Sequence, residues 1–178
     1  MAFPKSALLV LLTLFISSFS HAQNVEGDYI LGSGDEIKIT VFGQEDLTVE
    51  TRLSNNGVIR YPFLGDIRLV GKSVNQVELL IDQGLRGDYL VDPSVSVTVI
   101  EYRPFFINGE VSKPGGYPYQ PGLTVEKAAA LAGGYTERAA KSSVLIRRNI
   151  TGTETSIESA TSEIVMPGDI ITVQQRFF

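Results

Sequence analysis

The chain has 178 residues, 43% of them hydrophobic and 20% charged, with 15 Lys and Arg against 20 Asp and Glu for a net charge of −5. It contains no Cys, no Trp and a single His, His21. These counts exclude a disulfide framework, a thiolate metal site, a Cys nucleophile and a lipid-modified Cys. The acidic balance argues against a nucleic-acid partner, which needs Lys and Arg to neutralise phosphates.

Lys5 precedes an uncharged run from Ala7 to Phe19, and Ser20 and Ala22 put small residues three and one positions before a cleavage point at Gln23. A spanning helix needs about 20 apolar residues, so this shorter run predicts a secretory signal peptide over residues 1–22, with a retained anchor as the alternative. Cleavage leaves 178 less 22, or 156 residues, and removes Lys5 and His21, so the net charge becomes −6. Ser-His-Asp triads, Cys-His dyads and HExxH zinc sites are then impossible within the chain.

Segment 36–42 alternates, with Ile37, Ile39 and Val41 on one face. Segments 48–53 and 57–60 flank Asn55-Asn56-Gly57, a tight-turn signal that predicts a hairpin between them. A strand is expected at 66–70. Ser73 and Gln76 have capping-box spacing, and Val74, Val77, Leu80 and Ile81 mark the inner face of a helix ending near Gly84. Asp92-Pro93 breaks the chain before an alternating strand through Val95, Val97 and Val99. One helix on a sheet is an α+β unit.

The pattern restarts at Arg103. A strand from Phe105 to Val111 meets the turn Lys113-Pro114-Gly115-Gly116, and Tyr117 to Tyr119 continue as a strand. Thr124 caps a short helix that stops at Gly133-Gly134, and strands are expected at 143–149, 154–158 and 169–175. The order ββαβββ suits a β-grasp-like module, a sheet curled around one helix. Gly34-Asp35-x-Ile37-x-Ile39 is echoed by Gly168-Asp169-x-Ile171-x-Val173. Turn chemistry alone can produce that pairing, with each Asp capping its Gly turn through its side-chain oxygens, and duplication is the alternative.

Catalytic motifs are missing. Gly32-Ser33-Gly34 has Ile37 where a dinucleotide fingerprint needs its third glycine, and it leads into a strand. The acidic pairs Asp35-Glu36 and Glu45-Asp46 point to opposite faces of a strand, unlike the facing carboxylates of a glycosidase. Lys141-Ser142-Ser143 reads as a polar turn and Arg147-Arg148 as a surface pair on a strand. Asn149-Ile150-Thr151 is a short sequon match. Tyr61, Tyr89, Tyr102, Tyr117 and Tyr119 lie beside turns. Half-buried packing with a wet hydroxyl is the expectation for them, and stacking on sugars in an exposed groove is the alternative.

The motifs at the element boundaries carry a resemblance. Tyr29-Ile-Leu31-Gly-Ser-Gly34-Asp35-Glu-Ile37 is similar to the opening of the bacterial polysaccharide biosynthesis/export family. The block with Gly57, Pro62 and Gly65 and the block with Tyr89, Pro93 and Val95 resemble its next two. Gly109-Glu110-Val111-x-x-Pro114-Gly115-x-Tyr117, Gly133-Gly134 and Pro167-Gly168-Asp169 resemble the soluble-ligand-binding β-grasp (SLBB) module that follows in that family. The resemblance implies an α+β chain with an export domain over 23–102 and an SLBB domain over 103–178. It also implies a conduit without catalytic residues, cofactor or metal, in which a homo-oligomeric ring encloses a lumen and passes polysaccharide outward. An inner-membrane polysaccharide copolymerase is the implied partner.

Two departures from larger members are visible: the leader has no lipobox Cys, and the chain stops at Phe178 without a C-terminal spanning helix. The expectation is therefore a periplasmic ring or collar, associated with the outer membrane but not a lipoprotein, completed by a separate outer-membrane β-barrel. The alternative is a periplasmic saccharide-binding or scaffold module that does not itself conduct polymer.

Overall fold

A computed structural model describes residues 29–150 and 153–176. The segment expected to be a signal peptide and the terminal Phe177-Phe178 lie outside the described residues, as does Thr151 of the sequon match. The strands are β1 (Glu36–Val41), β2 (Gln44–Arg52), β3 (Val58–Tyr61), β4 (Gly65–Arg68) and β5 (Val95–Glu101), then β6 (Phe105–Gly109), β7 (Gly115–Tyr117), β8 (Val144–Ile150), β9 (Thr153–Ser159) and β10 (Ile170–Val173). The helices are α1 (Val74–Leu85), between β4 and β5, and α2 (Val125–Leu131), between β7 and β8.

In the first module β1 is the centre of an antiparallel sheet of order β2-β1-β5, and β3 and β4 form a separate hairpin. The alternation read in β1 holds: Ile37, Ile39 and Val41 are buried while Lys38 and Thr40 face water. Helix α1 starts on the expected capping box. The Ser73 hydroxyl accepts from the Gln76 N–H at 3.2 Å, and the Gln76 carboxamide accepts from the Ser73 N–H at 2.9 Å. Val74, Val77, Ile81 and Leu85 enter the core, each stabilising the fold by roughly 1.5–3 kcal/mol of transfer free energy.

Two expectations need correction here, the hairpin and the strand at 66–70. The Asn-Asn-Gly turn does not join a hairpin: β2 pairs with β1 and β3 with β4, so that turn passes the chain from one sheet to the next. Hydrophobic pattern decides this, because pairing β2 with β1 covers the buried face that Leu47 shares with Ile37 and Ile39. Helix α1 ends at Leu85, as expected, and Gly84 leaves room for Leu64, whose methyls a side chain there would meet at about 2.8 Å. The strand expected at 66–70 is instead Gly65–Arg68.

The second module has the order β7-β6-β10-β8-β9, with β6 and β10 parallel and the other neighbours antiparallel. This is the β-grasp arrangement expected from ββαβββ, and the chain is α+β. Ala128, Ala129 and Ala132 bring α2 close to the sheet, over a core of Phe105, Ile107, Val144, Ile146, Ile171 and Val173. Strands β6 and β10 are shorter than the sequence suggested, β7 lies two residues earlier, and β9 is longer. Gly109 turns out of β6 at φ 82°, and a Cβ there would fall 2.1 Å from the Val173 carbonyl oxygen. Strand β7 starts at Gly115 and ends at Tyr117, and β10 begins after Asp169.

Candidate functional site

The two Gly-Asp turns are built alike. Gly34 and Gly168 take φ values of 96° and 84°, in the region that favours glycine. The Asp35 carboxylate accepts the N–H of Gly32 at 2.7 Å, and the Asp169 carboxylate accepts the N–H of Met166 at 2.8 Å. Both carboxylates are buried, at 0% and 1% exposure. The capping role read from the sequence is thus what both side chains perform.

A buried carboxylate needs a countercharge, and each turn has an arginine. Arg148 donates from Nε and Nη2 to Asp169 at 2.9 and 2.8 Å, a bidentate pair, and Nη2 also reaches the Ile164 carbonyl. These hydrogen bonds raise the Arg148 pKa above its usual value. This corrects the reading of Arg147-Arg148 as a surface pair. Strand alternation sends Arg147 outward towards Glu154 and Arg148 inward.

Arg103 answers Asp35. Its backbone N–H and its Nη1 donate to the two carboxylate oxygens at 2.8 and 3.0 Å, and Nη1 also donates to the Tyr29 hydroxyl at 2.9 Å. The Tyr29 hydroxyl in turn donates to Asp35 at 2.8 Å. Burial first, and the Asp35 charge second, hold the Tyr29 pKa well above the usual tyrosine range. From Nε, Arg103 reaches across to the Pro167 carbonyl at 3.1 Å, in the second turn.

Arg103 therefore threads between the two turns and ties the modules together. Three glycines make room for it. A Cβ on Gly32 would stand 2.0 Å from its Nη1, one on Gly34 3.3 Å from its Cβ, and one on Gly168 2.9 Å from its Nε. Beside it, Tyr29, Tyr102 and Tyr119 make successive edge-on contacts with centroids 5.0 and 5.3 Å apart.

Of the residues singled out from the sequence, Tyr29, Gly34 and Asp35 meet Pro167, Gly168 and Asp169 at this junction, while Leu31 lies in the first core. The others stand elsewhere as turn and packing residues. Gly57 turns the chain into β3, Pro62 and Gly65 shape the β3–β4 hairpin loop, and Pro93 is buried ahead of β5. Gly109, Val111, Pro114, Gly115 and Tyr117 form the β6–β7 connection, where the Tyr117 hydroxyl donates to the Lys113 carbonyl at 2.6 Å. Gly133 and Gly134 end α2. Arg103 and Arg148 were missed. The cue was available, since two buried Gly-Asp turns require two cations.

The tyrosines also depart from a uniform wet-hydroxyl reading. Tyr61 is fully enclosed, its hydroxyl donates to the Leu47 carbonyl at 2.8 Å, and burial pushes its pKa up to about 12. Tyr89 is different. It stacks with Phe63 at 4.7 Å and 28°, and both rings face water. Phe63 is the one described non-glycine residue with positive φ, 64°, a conformation that costs about 1–2 kcal/mol. Among the described residues no three Asp, Glu, His or Cys side chains could hold a metal ion, and no helix is long and apolar enough to cross a membrane.

An α+β module tied through a partly buried arginine to a β-grasp module defines a two-domain class, and comparison with known proteins agrees. Residues 23–100 match the polysaccharide biosynthesis/export protein family and residues 104–158 the SLBB domain. The chain belongs to the polysaccharide biosynthesis/export family and carries an SLBB domain after its export domain.

It is 33% identical to the exopolysaccharide production protein ExoF of Rhizobium meliloti (strain 1021), over 74% of this chain and 33% of ExoF. It is 26% identical to the EPS I polysaccharide export outer membrane protein EpsA of Ralstonia nicotianae, over 83% of this chain and 48% of EpsA. The polysialic acid transport protein KpsD of Escherichia coli is 26% identical over 51% of this chain and 16% of KpsD. The chain thus spans a third of ExoF and about half of EpsA.

Proposed function

We propose that this protein is a non-enzymatic part of a capsule or exopolysaccharide export path, acting as a homo-oligomeric ring that passes finished polymer across the periplasm. The observation that carries this reading is the pair of family domains in export-then-SLBB order, together with similarity to proteins named for polysaccharide production, export and transport. The domain division at 102/103, the turn motifs as the family's structural signature, and the leader peptide at 1–22 belong to the same proposal. So do an inner-membrane copolymerase beneath the ring and a separate outer-membrane β-barrel above it.

A deletion strain tests the reading directly. Secreted polymer should fall to background while polymer accumulates inside the envelope, and the purified protein should sediment as a discrete oligomer. Normal export from the deletion strain would sink the proposal.

A further inference from the structure

Phe63 and Tyr89 stack with ring centroids 4.7 Å apart, and both stand outside the hydrophobic core. Pro62, Phe63 and Leu64 form the tip of the β3–β4 hairpin, and Leu64 turns inward against Gly84 of α1. Leu64, with Ile59, Tyr61 and Ile67, packs the hairpin into the core that α1 shares. Phe63 takes a left-handed backbone and lies 63% exposed, over Tyr89 at 48%. That backbone closes the tight turn at the hairpin tip, where the Leu64 N–H donates to the Pro62 carbonyl at 2.8 Å, and the turn holds the Phe63 ring outside the core.

We propose that Phe63 and Tyr89 are a carbohydrate-stacking platform that takes the C–H face of one sugar ring of a polysaccharide. This rests on the export reading above for the identity of the polymer. Tyr89 covers one face of Phe63 and steadies it, and its hydroxyl lies 3.5 Å from the Phe63 carbonyl. The outer face of Phe63 is left open to solvent. An aromatic face carries partial negative charge and attracts the weakly positive C–H groups on the flat side of a pyranose. Charged groups for sugar hydroxyls flank the platform in sequence: Arg60 with Asp66 on the hairpin, and Arg86 with Asp82 and Asp92 around the tyrosine loop.

The size of the patch favours a sugar over a second copy of the chain. The two rings expose roughly 200–250 Å², given 150–250 Å² for a whole aromatic side chain. A stable protein interface needs roughly 800 Å² on each partner. A single open platform binds weakly, on the order of millimolar. That suits a moving polymer, because repeated weak steps around a ring hold it by multivalency without trapping it.

The test is a titration of the purified protein with cellohexaose, a neutral hexasaccharide whose ring faces are bare C–H, followed by aromatic NMR signals. Saturable shifts should concentrate on Phe63 and Tyr89. Phe63→Gly, which suits the left-handed backbone and leaves Leu64 in place, should weaken binding about tenfold, and Tyr89→Phe should stay within about twofold. The amide spectrum of each variant checks that the fold persists. Absence of shifts, shifts centred elsewhere, or undiminished binding by Phe63→Gly would overturn the proposal. So would ring shifts that follow protein concentration without saccharide and vanish in Phe63→Gly, since those mark contact between copies. The deletion-strain assay is independent: export without the protein defeats the export reading whatever the titration gives, and a silent titration defeats only the platform.

Discussion

At Asp169 the countercharge comes from 21 residues away, on the neighbouring strand β8, and the pair closes within one module. At Asp35 it comes from 68 residues away, from the link between modules, and the same arginine continues to the second turn. One turn design thus serves two purposes, staple and joint. The surrounding sheets differ as well. β1 has two antiparallel neighbours, whereas β10 has one parallel and one antiparallel. What repeats is the turn chemistry and not the topology, so the echo needs no duplication. A buried Asp after a left-handed glycine creates a demand for an arginine, and where that arginine is placed decides whether the turn stabilises a domain or connects two.

The comparison is most exposed to failure at the carboxylates. Asp169→Ala strands Arg148, whose side chain is only 15% exposed, and should destabilise the β-grasp module by about 3–5 kcal/mol. Guanidinium unfolding followed by hydrogen exchange at Ile107 and Ile171 would measure it. Asp35→Ala should cost less, about 2–3 kcal/mol, because Arg103 has more solvent and keeps the Pro167 carbonyl. Its distinguishing effect is on cooperativity: the unfolding of the two modules should separate. If Asp169→Ala separates them and Asp35→Ala does not, the staple and the joint have been assigned the wrong way round.

Most of the fold was legible because its signals are local. The β1 alternation, the Ser73 capping box and the glycine stop after α2 each depend on a few adjacent residues. What failed depends on partners. The Asn-Asn-Gly turn looks like a hairpin until β1 and β4 compete for its flanking strands. Arg148 looks like a surface residue until Asp169 is placed beneath it. The junction was half legible: both Gly-Asp turns were marked, but nothing near either one reveals that Arg103 serves the first and touches the second. The exposed aromatic pair was legible only as one alternative among several, because exposure of Tyr89 follows from the path of the β3–β4 hairpin.

Alkaline pH offers a gentler probe of the first module. Tyr61 titrates near 10 when unfolded and near 12 when folded, so the native state holds its proton more tightly. Below pH 10 both states are protonated and this group adds no pH dependence. Between about pH 10 and 12 the unfolded state alone loses the proton, and stability should fall by at most about 1.4 kcal/mol per pH unit from this group. Tyr29 acts in the same direction. Denaturation midpoints at several alkaline pH values should show the slope, and Tyr61→Phe should flatten part of it. An unchanged slope in that variant would remove Tyr61 as its source.

The finest test concerns Tyr29, the one member of the Asp35 network with no counterpart among the groups bonded to Asp169. Its hydroxyl donates to Asp35 and accepts from Arg103, while its ring packs edge-on against Tyr102. Tyr29→Phe keeps the ring and removes the hydroxyl, leaving Asp35 three of its four donors, the Gly32 N–H and the two from Arg103. The expected loss is about 1 kcal/mol. If Tyr29 acts by steadying Arg103, its effect should shrink when Arg103 is already Ala, and a double-mutant cycle should return a coupling of about 0.5–1 kcal/mol. Strict additivity would mean that the hydroxyl merely fills a hydrogen-bond vacancy on Asp35. The joint would then rest on Arg103 alone, and the two turns would differ only in where their arginine comes from.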